Sequence, residues 1–306
     1  MYITEEKVKK LAKIGEVFNV VYGAFHDEDT HMIPKSYLAV DKGDFRAMPA
    51  RVGNVAGIKW VSVHPKNPKK GMPTVQGTII LNDANTGEVL CVMDAAYITK
   101  LRTAAAAAVA TKKLAKKKSK VAAFVGCGAQ TELHVHMITH AVPSITKLKF
   151  YDVSPAKSDD MSLKFSSVFS GSKSYDSVED CVSGADIVTT LTPSTEPVVE
   201  GFYVSDGTHI NAMGADAEGK REFDIQLYRN VDIWVYDDEE QASHSGETQH
   251  LDLNPIPAPM MGSLKEVVGR AFENQITLFD STGLAIQDIA VASYILDKYN
   301  EWRHEN

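Results

Sequence analysis

From residue 120 to 141 the chain reads KVAAFVGCGAQTELHVHMITHA, a short apolar run, two glycines one residue apart, and then a helical pattern. A strand with no polar alternation is covered on both faces, which is the situation of a parallel sheet with helices packed on either side. Gly126 and Gly128 let the chain turn tightly and bring backbone N–H groups against an anion at the N-terminus of the following helix. This confines the second half of the chain to an α/β architecture. Thr131 stands where a third glycine would serve close helix-to-strand packing.

The surroundings agree with a dinucleotide-binding turn. The next strand, KLKFYD, closes on Asp152, at about the expected twenty-odd residues beyond the glycines. An acid there accepts hydrogen bonds from ribose hydroxyls and repels a 2′-phosphate, which favours NAD over NADP. A tight turn in any parallel-sheet protein is the bland alternative, and the combination of strand, helix and acid speaks against it. Further apolar runs, DIVTTLT, HINAM, VDIWVYD and ITLFD, alternate with helical patterns and imply crossover units. Ligands in such sheets lie beyond the carboxyl ends of the strands, which draws attention to Thr190, Thr192, Met213, Gly214 and Asp216.

Before residue 116 the pattern is different. Residues 4 to 26 carry Thr4 as an N-cap and Val8, Leu11, Val17, Phe18, Val21 and Phe25 at helical spacing, which predicts one amphipathic helix. YLAV, FRAMPAR, AGIKWVSVH, TVQGTIIL and EVLCVMD then predict hairpin-connected antiparallel strands, followed by an alanine-rich helix over 95–117. The fold class is therefore α/β: a Rossmann-type doubly wound parallel sheet over 116–284, plus a mainly antiparallel α+β domain over 1–115 that a final helix at 285–306 rejoins.

With 306 residues and 44 % apolar composition, the chain can bury a substantial core. Its formal charge of −8 speaks against nucleic acid or an anionic membrane as a partner. Three cysteines without CxxC spacing suggest neither a disulfide framework nor zinc, and no run is long and apolar enough for a signal peptide or a membrane span, so a cytoplasmic location is expected. No metal site is expected either. His134, His136 and His140 share a helix without an acid or thiol to complete a ligand set, SHSGETQH contains Glu247 but no helical register, and the lysines from Lys112 to Lys120 complement a helix C-terminus.

Three cations stand out as candidates for an anionic substrate: Arg46, Lys59 and Arg102, the last beside Thr103 at the start of the alanine run. Strand alternation alone does not decide which face Lys59 takes. These residues point to an NAD-dependent enzyme for a small anionic substrate.

The motifs GDFRAMPA, AGIKWVSVHPKNPKKGMPTV, LRTAAAAAVATKKLA, FVGCGAQ, THINAMGADAEGKREFD and FDSTGLAIQDIAVA, in this order, resemble the ornithine cyclodeaminase/mu-crystallin family over nearly the whole chain, and most closely its archaeal-type alanine dehydrogenase branch. The resemblance implies a homodimer built through the first domain, a Rossmann domain, and a cofactor held through Thr103, Gly126, Gly128, Ala129, Gln130, Asp152, Ser154, Thr190, Thr192, Met213, Gly214 and Ser281. It also implies that Lys59 and Arg102 bind a substrate carboxylate, assisted by Lys35, and that Asp216 is the acid/base beside Cα. Asp288 recurs in the family's last motif, and Ser281 and Thr282 either face the nicotinamide or cap a helix. Arg46 stands where cyclodeaminases carry a glutamate for the distal ammonium of ornithine. The implied reaction is oxidation of L-alanine with NAD and water to pyruvate, ammonium and NADH. A cyclic ketimine or pyrroline-2-carboxylate reductase, an ornithine cyclodeaminase and a non-catalytic NAD-binding crystallin are the alternatives.

Overall fold

A computed structural model of the chain describes residues 1–251, 260–267 and 273–305. It divides into two compact units, Met1–Ala105 with Leu284–Asn306, and Ala106–Gly283.

The first unit opens with β1 (Tyr2–Ile3), α1 (Glu5–Leu11) and α2 (Ile14–His26). The single helix expected over 4–26 is thus two, because Ala12 and Lys13 adopt extended backbone between them. The reason lies in the apolar register. At about 100° per residue, Val17 falls half a turn from Val8, so a straight helix would bury only one of them, whereas the break buries both.

Next come β2 (Thr30–Met32), β3 (Ser36–Val40), β4 (Gly43–Val52), β5 (Val55–Val63), β6 (Val75–Asp83), β7 (Val89–Asp94) and α3 (Ala96–Leu114). The sheet runs β1-β7-β6-β5-β4-β2, with β3 also paired to β4, and every pairing except β1 with β7 is antiparallel. Strands β2 and β3 occupy successive stretches of one edge of β4, and Pro49, which has no N–H to donate, falls in the gap between them. Every residue of α3 from Ala104 to Ala110 is buried, as alanines in close packing should be.

The second unit holds β8 (Val121–Val125), α4 (Thr131–Ala141), β9 (Lys147–Tyr151), α5 (Pro155–Ser166), β10 (Gly171–Ser174), α6 (Val178–Val182), β11 (Ile187–Thr190), β12 (His209–Ala212), α7 (Ile225–Asn230), β13 (Ile233–Tyr236), α8 (Glu239–Ser245), β14 (Met260–Ser263) and β15 (Thr277–Asp280). The chain then returns to the first unit as α9 (Ala285–Glu305).

These eight strands form one parallel sheet in the order β10-β9-β8-β11-β12-β15-β13-β14. This is the doubly wound, Rossmann-type architecture expected. The two outermost strands were not anticipated. Strand β10 reads GSKS, with no apolar alternation, as befits a polar edge. The connections run one way from β8 and the other way from β11, so the switch point lies between them, where such sheets bind ligands. Among the described residues no helix is long and apolar enough to cross a membrane.

Candidate active site

In the first unit the structure decides what strand alternation left open. Lys59 is 1 % exposed and its Nζ donates to Asp288 Oδ2 at 2.6 Å. Arg102, from α3, donates from Nε to Asp288 Oδ1 at 3.0 Å and from Nη1 to Gln287 Oε1 at 3.1 Å. Asp288 and Gln287 are both fully buried near the start of α9. Three elements, β5, α3 and α9, thus converge on one carboxylate.

Gly57 makes this possible. It precedes Lys59 by two positions and therefore shares its face, and a Cβ there would lie 2.8 Å from Ile289 Cδ1 of α9 and 2.7 Å from the Ile80 carbonyl oxygen. The absence of that atom lets α9 lie close over β5.

Two cations on one carboxylate leave a net positive buried site. Burial lowers the Lys59 pKa to about 7, Asp288 works against that, and the nearby charges of Arg102 and Lys35 add to it. Arg46 lies opposite Val61 in the β4–β5 pairing and Lys59 lies opposite Met48, so Arg46 and Lys59 share one face of the sheet. The Arg46 Nε donates to Asp44 Oδ1 at 2.7 Å, and the guanidinium lies 5.2 Å from the Tyr37 ring centroid. Thr103 donates its hydroxyl to the Thr99 carbonyl within α3.

In the second unit, Gly126 has φ +96°, and a Cβ on it would sit 2.9 Å from the Leu191 carbonyl oxygen beyond β11. Glycine is required there by the protein itself. Gly128 is different. Its φ is not left-handed and nothing lies within 4 Å of where its Cβ would be, so packing does not explain it. Open space in front of a bare backbone at a helix start is what a pyrophosphate needs, so the turn fits a dinucleotide.

Asp152 reinforces that fit, since its Oδ2 accepts from Cys127 N–H inside the turn and its Oδ1 from Ser154 N–H, leaving lone pairs for a ribose diol. Ala129 and Gln130 complete the turn, and the buried Gln130 Oε1 has no partner among the described residues. Thr131 answers for the missing third glycine. It is fully buried and its hydroxyl donates to the Gly126 carbonyl at 2.8 Å, so it ties α4 to the turn.

Beyond the strand ends lies a set of buried carboxylates that sequence reading missed. Glu222 accepts from the hydroxyls of Thr190 (2.6 Å) and Thr192 (2.7 Å) and from the N–H groups of Thr192 and Gly214 (both 2.8 Å). Gly214 must lack a Cβ, which would lie 2.5 Å from that carboxyl group. Thr190, Thr192 and Gly214 are therefore held by an acid that links the loops after β11 and β12. Met213 is buried beside them.

Glu247, expected in a loop without register, is instead fully buried in a short 3-10 turn after α8, where it accepts from Glu222 N–H and the Tyr228 hydroxyl. Burial raises the pKa values of Glu222 and Glu247, and that of Asp280 to about 7. Ser281 and Thr282 donate to Asp237, which accepts N–H bonds from Thr282 and Gly283 as well. No periodicity marks these acids, because they sit in loops and at strand ends.

Asp216 stands in the loop after β12, with its side chain 40 % exposed and Lys220 Nζ 2.5 Å from its Oδ1. It is the most accessible acid on this edge that sequence reading singled out.

A Rossmann-type unit with an open glycine turn, together with a unit that buries a cluster of Lys59, Arg102 and Asp288, defines a class: proteins that bind a nucleotide cofactor. The sequence profile of the ornithine cyclodeaminase/mu-crystallin family matches residues 1–303, and the chain belongs to that family. Alanine dehydrogenase of Archaeoglobus fulgidus is 42 % identical over 97 % of this chain and 94 % of its own length. Among solved structures, an archaeal alanine dehydrogenase dimer with bound NAD superposes with a TM-score of 0.93 at 39 % identity, covering 99 % of this chain and 97 % of that one. Thermococcus litoralis Δ1-pyrroline-2-carboxylate reductase, in complex with NADH and L-proline, gives a TM-score of 0.93 at 31 % identity, covering 99 % and 98 %.

Proposed function

We propose that the chain is an NAD-dependent amino-acid dehydrogenase that interconverts L-alanine, NAD and water with pyruvate, ammonium and NADH. The observation that carries the choice of substrate is the charge of the Lys59 face. Lys35, Arg46, Lys59 and Arg102 serve it, while its two acids are already engaged, Asp288 by Lys59 and Arg102, and Asp44 by Arg46. A diamino acid needs a carboxylate for its distal ammonium, and neither acid is free to supply one. A short amino or keto acid needs only the cations.

In this reading the first unit binds the substrate and the second holds the cofactor, through Gly126, Gly128, Ala129, Gln130, Asp152 and Ser154 at the turn and through Thr190, Thr192, Met213, Gly214 and Ser281; Thr103, of the first unit, is a further cofactor-binding residue. The relatives with NAD or NADH support that cofactor. The chemistry NAD would supply when bound is that of a hydride acceptor for Cα, and NADH that of the donor in the reverse direction. Lys59 and Arg102 hold the carboxylate, Lys35 and Arg46 add charge around it, and Lys59 polarises the carbonyl as it forms. Asp216 takes a proton from the water that attacks the substrate iminium, the C–N bond of the resulting carbinolamine breaks with that proton carried to the departing ammonia, and the reverse direction runs through the same transfers.

A cyclic ketimine reductase is the second reading, supported by the likeness to a pyrroline-2-carboxylate reductase. It would use the same clamp but needs no attack by water. The test is NADH absorbance with purified protein, comparing pyruvate plus ammonium, a cyclic ketimine acid, alanine with NAD, and ornithine. Oxidation that requires pyruvate and ammonium together is the expected outcome. Turnover of the ketimine or of ornithine alone would overturn the assignment and keep the cofactor.

A further inference from the structure

Gln287 is buried beside the cluster, and its amide orientation is fixed. Arg102 Nη1 can only donate, so the amide oxygen must face it, and the bond at 3.1 Å says that it does. The amide nitrogen therefore faces away, and Gln287 Nε2 is buried with no partner among the described residues.

A buried donor pair without an acceptor is rare in a folded protein and marks a place where a ligand or water supplies one. Two neighbouring groups have donors to spare as well. The hydrogen bonds of Arg102 use Nε and Nη1, and that of Lys59 uses one of three ammonium protons. Lys59 and Arg102 are both held by Asp288, and Arg102 also by Gln287, the next residue in sequence, so the three side chains form one cluster.

On the reading that this cluster binds a 2-oxo acid, we infer that Gln287 is a third substrate-binding residue, donating from Nε2 to an acceptor oxygen of the bound acid. Its neutral amide suits an oxygen that the cations do not already claim, and it leaves the Lys59–Asp288–Arg102 charges in place. A site that hydrogen-bonds an oxygen discriminates strongly against ligands that lack it.

The test uses full-length protein saturated with NADH and titrates pyruvate, and separately oxalate as an unreactive probe, by calorimetry. Two variants guard against a failure to fold. Gln287→Met removes both donor and acceptor, and Gln287→Glu keeps an oxygen for Arg102 while removing the donors. Loss of affinity for both acids by about tenfold or more, with NADH affinity and melting temperature unchanged, is the expected result. Affinities equal to those of the parent protein in either variant would overturn the inference. If the parent binds oxalate but not pyruvate, the alanine dehydrogenase reading falls while the oxalate arm still decides the role of Gln287. If the parent binds neither acid, both fall.

Discussion

Lys59 is a buried lysine whose charge depends on what sits beside it. Burial has brought its pKa to about 7, far below the unfolded value near 10.4, so the two states bind different numbers of protons between those limits. Below pH 7 the folded protein holds a charged, poorly solvated ammonium. Above it, the free protein has released that proton while an unfolded chain would keep it, so this group's contribution to folding stability rises with pH up to about 10.4.

Substrate binding has the opposite sign. A carboxylate favours charged Lys59, so the affinity of the NADH-loaded protein for pyruvate should be constant below about pH 7 and weaken by up to about tenfold per unit above it. Calorimetry from pH 6 to 8.5 checks this, with Lys59→Gln expected to be weak and flat throughout; a flat profile in the parent protein would remove Lys59 from the clamp. For Asp216, replacement by Asn should leave NADH binding intact and lower turnover by about a hundredfold or more, measured as steady-state kcat. Near-normal turnover would mean that another group moves the proton.

At the scale of elements, the signals that were legible are those in which periodicity and turn chemistry agree. The apolar run, two glycines and helix at residues 120–141 became β8, its turn and α4, and the runs YLAV, FRAMPAR, AGIKWVSVH, TVQGTIIL and EVLCVMD became β3 to β7. What was not legible depends on contacts distant in sequence. Nothing near Asp288 announces that it would pair with Lys59, 229 positions away. The available hint was an amide and an acid in the first turn of a helix that is otherwise apolar from Ala285 to Ala292.

The same holds for Glu222 and Glu247, whose partners are loop N–H groups and hydroxyls that the sequence cannot orient. The split between α1 and α2 was legible in principle, since the register of Val8 and Val17 already conflicts with one straight helix.

At the scale of the molecule, the first unit's sheet has two unlike faces. One carries Lys59 against α9, while the other presents Trp60, 42 % exposed and stacked on Phe45, together with Leu38, 55 % exposed. The pairings of β3, β4 and β5 place these three on one side. A face of this kind suits a second copy of the chain, which is the proposal for the homodimer, supported by the dimeric archaeal relative. Light scattering on the parent protein should give about twice the chain mass, and Trp60→Lys should shift it toward the monomer without moving NADH affinity. A parent protein that is monomeric at micromolar concentration would contradict the proposal.

If nitrogen from ammonium is joined to a short keto acid at the expense of NADH, the product carries that nitrogen. Purified protein would be incubated with pyruvate, 15N-ammonium and NADH, and the amino acid formed would be identified by mass spectrometry. The expected product is L-alanine carrying the label, in proportion to the NADH consumed. Consumption of NADH without labelled alanine, or labelled alanine formed without NADH, would contradict the proposed reaction.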